Sequence, residues 1–252
     1  MDSFMNKSTL ALIPSRLASR RLPGKPLLEI CGMPMIVHVA KRAQLSKSID
    51  KVYVCTDSTE IAEVCSKFNI SVKITRGSYN NGTERIADVA KEFPDSFIVD
   101  VQGDEPLINP DNIDEVVEFA KSSSKKPDIV IPTIQEQYSS GDSVVRVISS
   151  TSNRVMYLTR AMTPHPFRNR PQFIQKHLSV ICFRPTILEK FSALPVSKLE
   201  SFEDVELLRA IENDMNVYSL PLVANSFSVD IHDDVARVKL AMVNDPILLE
   251  YQ

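Results

Sequence analysis

In the first half of the chain, short runs rich in β-branched residues alternate with stretches whose apolar positions recur three and four residues apart. Runs 9–14, 51–56, 71–74, 96–102 and 128–134 read as strands, and 34–45, 58–68, 83–93 and 110–122 as helices. Strands that alternate with helices in this way build a parallel, doubly wound sheet, so the expected fold class is α/β with a mostly parallel central sheet. Ile86, Val89, Ala90 and Phe93 mark the burial face of one such helix. Asp57 with Glu60 three residues later supplies a capping-box pattern, and Asn109 before Pro110 supplies a cap followed by proline at the first helical position.

The second half changes character. Runs 144–149, 155–159 and 178–183 read as strands around a proline-bearing stretch, 163–172, that cannot be a regular element. Together they predict a sheet extension or arm over about 140–185. Beyond it, 202–212 reads as a helix, 217–223 and 226–230 as strands, and 233–244 as a closing helix. There is no repeat or low-complexity linker, and 252 residues with 43% hydrophobic content suffice for one domain spanning 1–252.

A formal charge of -3 without Lys/Arg runs argues against a nucleic-acid or membrane-surface binder, whose affinity comes from a basic face. Charged residues interrupt every apolar run well short of the ~20 residues a membrane span needs. Lys7 is the only basic residue near the N-terminus, and no apolar run before a small-residue cleavage site follows it, so this end does not read as a signal peptide. Cys31, Cys55, Cys65 and Cys182 show no CxxC spacing, and three lie in apolar stretches, which fits a reduced, cytoplasmic protein.

Four cations, Arg16, Arg20, Arg21 and Lys25, follow the first strand within IPSRLASRRLPGKPL. A loop this polar is ordinarily a solvated turn. Its position at the carboxyl end of a parallel strand, where α/β ligand sites form, favours an anion, and a triphosphate suits the forked donors of Arg and the point charge of Lys. Gly24 would let the backbone approach a phosphate closely. A Walker loop is excluded, because Pro26 follows Lys25 and Ser19 stands where glycine is needed, and no GxGxxG occurs. Asp104, in VQGDEP after one strand, and Asp230, in SVDIHDD at the end of another, could hold magnesium between protein and phosphates, although each alone is as well read as a turn or helix cap. HExxH, Cys/His clusters and Gly-x-Ser-x-Gly are all missing, which leaves metal-assisted phosphoryl transfer rather than zinc or serine chemistry.

Read in order, IPSRLASRRLPGKPL, YVCTD, NNGTERIADV, VQGDEP, LTRAMTPHP, KHLSVICFR, LESFEDVELLR and VDIHDDVARV resemble the 3-deoxy-manno-octulosonate (KDO) cytidylyltransferase family over roughly residues 10–240. The resemblance implies a Rossmann-like, glycosyltransferase-A-like nucleotidyltransferase fold, a homodimer built partly through the arm, and transfer of CMP from CTP to an acidic 3-deoxy sugar with Mg2+. By motif match, Arg16, Ser19, Arg21 and Lys25 cradle the triphosphate. Thr56, Arg76, Gly82, Thr83 and Arg85 surround the cytidine, Gln102, Arg160, His177 and Glu206 line the sugar site, and Asp104 and Asp230 bind the metal. Without the resemblance, His177 reads as an edge histidine, Arg160 as an ion-pair partner and Glu206 as one carboxylate of a solvated helix face.

The chain departs from the family pattern at Ser15 (usually Ala), Arg20 (usually Thr), Asn81 (usually Ser) and VDIHDD (usually VDTPED). Ile181 stands where Tyr is usual and Leu207 where Gln is usual, both in the sugar region. Loss of a hydroxyl and an amide there would leave a substrate hydroxyl unpaired, which implies a variant ulosonate, such as an 8-amino-8-deoxy form or a longer nonulosonate. The competing readings are CMP transfer to a nine-carbon sialic-type acid, and a CTP-binding paralogue without catalysis.

Overall fold

The computed structural model describes residues 4–18, 22–138, 144–223 and 228–252. Ser19, Arg20 and Arg21 of the basic loop therefore lie outside the described residues. In chain order the elements are β1 (Thr9–Ser15), a 3-10 turn (Lys25–Leu27), the short pair β2 (Glu29–Ile30) and β3 (Met33–Pro34), α1 (Met35–Leu45), β4 (Lys51–Thr56), α2 (Thr59–Lys67), β5 (Val72–Ile74), α3 (Gly82–Ala90), β6 (Phe97–Val101) and α4 (Pro110–Ser122). The second half follows with β7 (Ile129–Gln137), β8 (Arg146–Ser149), β9 (Val155–Thr159), β10 (Phe173–His177), β11 (Val180–Phe183), α5 (Ile187–Ala193), α6 (Lys198–Glu203), α7 (Leu208–Glu212), β12 (Val217–Pro221), α8 (His232–Met242) and a closing 3-10 turn, Pro246–Glu250.

The main sheet runs β5-β4-β1-β6-β11-β7-β10-β8-β9, with β12 added on β7. Its first part is the expected α/β half, with β5, β4, β1 and β6 all parallel. The arm enters as antiparallel pairs, β11 between β6 and β7, then β10, β8 and β9. Alternate residues of the central strands feed two cores. Ala11, Ile13, Phe97, Val99 and Val101 face α1, α2, α4 and α8. Leu10, Leu12, Ile98, Ile181 and Phe183 face α3, α5 and α7. All seven residues of β1 are buried, as expected for a strand covered on both faces.

Several sequence expectations shift on contact with the structure. Ser58, not Asp57, caps α2, accepting from the Ile61 amide at 3.3 Å, and this leaves Asp57 available for an ion pair described below. Asn109 caps α4 as expected. The helix expected over 202–212 is broken in two. Asp204 adopts the left-handed conformation (φ 52°), which ends α6 and lets Arg209 of α7 fold back onto Glu200 of α6. Phe173–His177 is a strand that the proline-rich run before it masked, and α5 is too short to show a clear period. Residues 228–230 are irregular rather than strand, and the rest of the expected strand 226–230 lies outside the described residues. Among the described residues no helix is long and apolar enough to cross a membrane.

Candidate functional site

The parallel register of β1 with β6 pairs Leu12 with Asp100, so the two strands end side by side and the loops after them meet at one edge of the sheet. This is the edge at which α/β folds place ligands. A cavity of about 370 Å³ opens there, bounded by Arg16, Lys25, Arg85, Gln102, Asp104 and Asp230 among others. A second, shallower cleft of about 740 Å³ shares Arg16, Tyr79 and Arg85 with it and adds Asp57 and Arg76.

Asp104 and Asp230, so far apart in sequence, meet because the chain ahead of α8 is tied to the loop after β6. The Val229 amide donates to the Asp104 carbonyl at 3.0 Å. Asp234 then fixes the turn, its carboxylate accepting from the amides of Asp230 (2.9 Å) and Ile231 (3.0 Å). These bonds hold the Asp234 carboxyl below the usual carboxylate range against the opposing effect of burial. The two site carboxylates converge on one ammonium, with Lys25 Nζ donating to Asp104 Oδ2 at 2.8 Å and to Asp230 Oδ1 at 3.3 Å. Lys25 reaches them from the 3-10 turn that Gly24 starts in the left-handed region (φ 68°). A Cβ at Gly24 would meet no protein atom within 4 Å, and within the protein it is the left-handed backbone angle that calls for glycine there.

Among the described residues, no group of three or more His, Cys, Asp or Glu side chains could hold a metal. The chemistry of the Asp104–Asp230 pair nevertheless fits magnesium, which takes one or two protein carboxylates and completes its sphere with water and substrate phosphates. That the pair already gathers a cation, the Lys25 ammonium, shows that both carboxylates point to one place.

The predicted nucleotide residues separate into two groups. Arg85, on α3, is buried and rigidly held, donating to Asp57 at 3.0 Å and to the Thr75 hydroxyl, with its guanidinium 5.0 Å from the centre of the Tyr79 ring. Arg76 is exposed in the shallower cleft. Gly82 begins α3 where a Cβ would stand 2.9 Å from the Pro14 ring, so the helix can approach β1 only without a side chain. Thr56 is fully buried, and its hydroxyl accepts from the Ser58 amide at 3.1 Å, holding the turn that presents Asp57 to Arg85. Ser19 and Arg21 fall outside the described residues.

Of the predicted sugar residues, Gln102 lines the cavity, its Nε2 donating to both carboxylate oxygens of Asp100 at 3.0 Å. Glu206 is hydrogen-bonded to Thr83, while its Oε2 is buried with no partner in the protein; burial, above all, raises its carboxyl above the usual range. His177 ends β10 with a buried, unpartnered Nε2, and burial lowers its pKa to about 4. Arg160 lies on the α6 side, donating to the backbone carbonyls of Glu203 (2.9 Å) and Asp204 (3.0 Å). Ile181 and Leu207 are buried in the second core, 8% and 3% exposed.

Sequence reasoning passed over Asp100, Tyr79, Glu203 and Asp234, and read Asp57 only as a helix cap. One signal was present, since the lone acid in the strand FIVDV is out of place among apolar neighbours.

A family model described as cytidylyltransferase matches residues 10–217. The 3-deoxy-manno-octulosonate cytidylyltransferase of Syntrophotalea carbinolica is 35% identical over 243 residues, covering 92% of this chain and 97% of that protein. The protein of the same name from Rhodopseudomonas palustris is 39% identical over 218 residues, covering 83% and 87%. A solved structure of CMP:2-keto-3-deoxy-manno-octonic acid synthetase complexed with CTP superimposes with a TM-score of 0.89 at 28% identity, covering 94% of this chain and 99% of that one. The likeness extends over nearly the whole chain, and the protein belongs to the 3-deoxy-manno-octulosonate cytidylyltransferase family of nucleotidyltransferases.

Proposed function

We propose that the protein transfers CMP from CTP to the anomeric hydroxyl of an acidic 3-deoxy sugar, releasing pyrophosphate, as a cytoplasmic step towards bacterial lipopolysaccharide or capsule. The observation that carries this reading is the convergence of Lys25, Asp104 and Asp230 at the mouth of a cavity walled by Arg16 and Arg85. Positive groups on one side suit the triphosphate, and two carboxylates beside them suit a divalent ion.

In this reading Arg16 and Lys25, with Ser19 and Arg21 of the same loop, hold the β- and γ-phosphates and stabilise the departing pyrophosphate. Lys25 exchanges its two aspartates for phosphate oxygens when CTP enters. Asp104 and Asp230 hold Mg2+, which when bound neutralises charge on the phosphates. Arg85 and Arg76, together with Gly82 and Thr83 at the start of α3, form the cytidine side, and Thr56 supports it through the Asp57 turn. Gln102, Arg160, His177 and Glu206 form the acceptor side. The acceptor oxygen bonds to the α-phosphorus, the bond from that phosphorus to the bridging oxygen of pyrophosphate breaks, and the hydroxyl proton is released.

The same proposal treats residues 1–252 as one domain in which about 140–185 form an arm that pairs two copies. Met156, Phe167 and Phe173 on that arm are 60%, 85% and 52% exposed, which is apolar surface suited to a partner. The test of function is pyrophosphate release from CTP, with Mg2+, in the presence and absence of a 3-deoxy ulosonate. Release that depends on both acceptor and metal, one equivalent per CMP-sugar formed, is expected. CTP binding with no release for any ulosonate would overturn the catalytic reading.

A further inference from the structure

We infer that Arg42, a buried residue of α1 set back from the cavity, is a positioning residue for the metal site. With Tyr251 and His38 it fixes the segments that carry Asp104 and Asp230. The inference rests on the metal role proposed above for those two aspartates and adds the residues that align them.

α1 starts at the cavity, where Met35 lines the wall and the Ile36 side chain would stand 3.4 Å from a Cβ at Gly103, the neighbour of Asp104. Arg42 lies two turns further along α1, about 10 Å down the helix axis. It is 1% exposed, and each nitrogen of its guanidinium reaches a different part of the chain. Nη1 donates to the Ile108 carbonyl at 3.3 Å, in the segment between β6 and α4 that contains Asp104. Nη2 pairs with the Asp245 carboxylate just beyond α8, the helix that opens shortly after Asp230. Nε donates to the Tyr251 hydroxyl at 3.2 Å. The Asp245 carboxylate also accepts from the Ile247 amide at 3.1 Å, which starts the 3-10 turn that brings Tyr251 back onto α1.

His38, one turn before Arg42 and on the same helix face, sets the direction of that last bond. Its Nε2 lies 2.7 Å from the Ile30 carbonyl, which can only accept, so Nε2 carries the proton. Burial, above all, lowers the His38 pKa and keeps the ring neutral. Nδ1 is then an acceptor, and the Tyr251 hydroxyl donates to it at 2.8 Å. The hydroxyl oxygen is left to accept from Arg42. Donors thus run in one direction from Arg42 through Tyr251 and His38 to Ile30, in the strand that follows the turn bearing Lys25. The guanidinium cannot swing away from Ile108 and Asp245 without breaking that chain. A buried charged fork adds little stability over an apolar side chain of the same shape, because desolvation offsets its attraction; what it supplies is fixed direction. Direction matters at Asp104 and Asp230, since magnesium demands near-ideal octahedral geometry from few protein carboxylates.

The experiment measures Mn2+ affinity by electron paramagnetic resonance, and Tm by calorimetry, for Y251F and D245N in a K25M background, where no lysine ammonium competes for the two aspartates. Y251F keeps the ring that packs on His38 and Arg42 and removes only the hydroxyl. D128N is the control for lost stability alone, since Asp128 bonds Arg184 and the Asn216 amide and touches none of these segments. Mn2+ binding is expected to weaken on the order of 10-fold in Y251F and in D245N, and to stay within about twofold in D128N whatever its loss of Tm. Unchanged affinity in Y251F and D245N, or an equal loss in D128N, would make the Arg42 cluster a support of the fold only; it would overturn the inference and leave the metal reading standing. D104N that binds Mn2+ as tightly as the K25M parent would overturn the metal reading, and the inference with it.

Discussion

Replacing Arg209 with methionine tests whether the break between α6 and α7 is held by charge. Arg209 and Glu200 are 2% and 6% exposed and meet through two bonds, Nε to Oε2 at 2.8 Å and a terminal nitrogen to Oε1 at 2.5 Å. The guanidinium also lies 5.0 Å from the centre of the Phe191 ring. Methionine retains most of the apolar stem but strands the Glu200 carboxylate, which keeps only its capping bond from the Ser197 amide at 3.0 Å. Breaking one partner of a buried pair costs roughly 3–5 kcal/mol. For a chain of this length that corresponds to a fall in Tm of about 8 °C, read by calorimetry or circular dichroism.

The pH dependence gives a second handle on the same pair. Burial pushes the Glu200 carboxyl up, but its bonds from Arg209 and Ser197 outweigh this and leave it below the usual range. A depressed acid contributes stability that is present above the ordinary carboxylate range and lost as pH falls through the lower folded value. The gap between wild type and R209M should therefore be full at pH 7 and shrink below about pH 4. Adding E200Q to R209M removes the stranded charge and should recover part of the loss. A single variant within 1 kcal/mol of wild type, or a double variant less stable than the single, would refute this account.

K25M removes the cation shared by Asp104 and Asp230; the nucleotide-free protein should bind Mn2+ about 10-fold more tightly, measured by electron paramagnetic resonance, and unchanged affinity would mean that the pair is not the metal site. His177, with its pKa lowered to about 4, stays neutral in the folded protein while the unfolded chain takes up a proton below about pH 6.5. Wild-type stability should thus fall between pH 6.5 and 4 by up to roughly 1.4 kcal/mol per pH unit more than that of H177Q, in urea titrations across that range. F173E places a charge on the exposed apolar surface of the arm and should convert a dimer to a monomer in sedimentation at micromolar concentration, whereas an unchanged mass would remove this face from the interface.

What could be read from the sequence follows from how local the determinants are. The parallel half was legible because the period of each run is set by its own residues, as β4 over Lys51–Thr56 and α4 over Pro110–Ser122 show. The arm was only partly legible. Phe173–His177 pairs with β7 and β8 across long loops, and with one exposed, one buried and three half-buried residues in succession it gives a weak pattern. The meeting of Asp104 with Asp230 could not be derived from either segment alone, since it depends on the backbone bond from Val229 to Asp104. Glu206 looked like one acid of a solvated face because its helix was read as continuous. The turn at Asp204 ends that helix, so Glu206 falls after the break and bonds Thr83 instead of joining the exposed Asp204 at the surface.

The buried carboxyl of Asp100, bonded to the cavity residue Gln102, is placed at the expense of stability. The folded Asp100 carboxyl is held above the ordinary range by burial first and by Glu206 second, with the Gln102 bond opposing them. A raised acid binds its proton more tightly folded than unfolded, so wild-type stability should fall as pH rises from about 4 towards the folded value, because ionisation then favours the unfolded chain. D100N carries no such group and keeps an oxygen to accept from Gln102. It should be more stable than wild type at pH 7, by on the order of 1 kcal/mol, with the difference shrinking as pH falls to about 4. Urea midpoints for the two proteins at a series of pH values would show this, and parallel profiles, or a less stable D100N at neutral pH, would refute it. A gain of that size would accord with the packing around Asp100, since its register neighbours Leu12 and Ile181 call for no carboxylate.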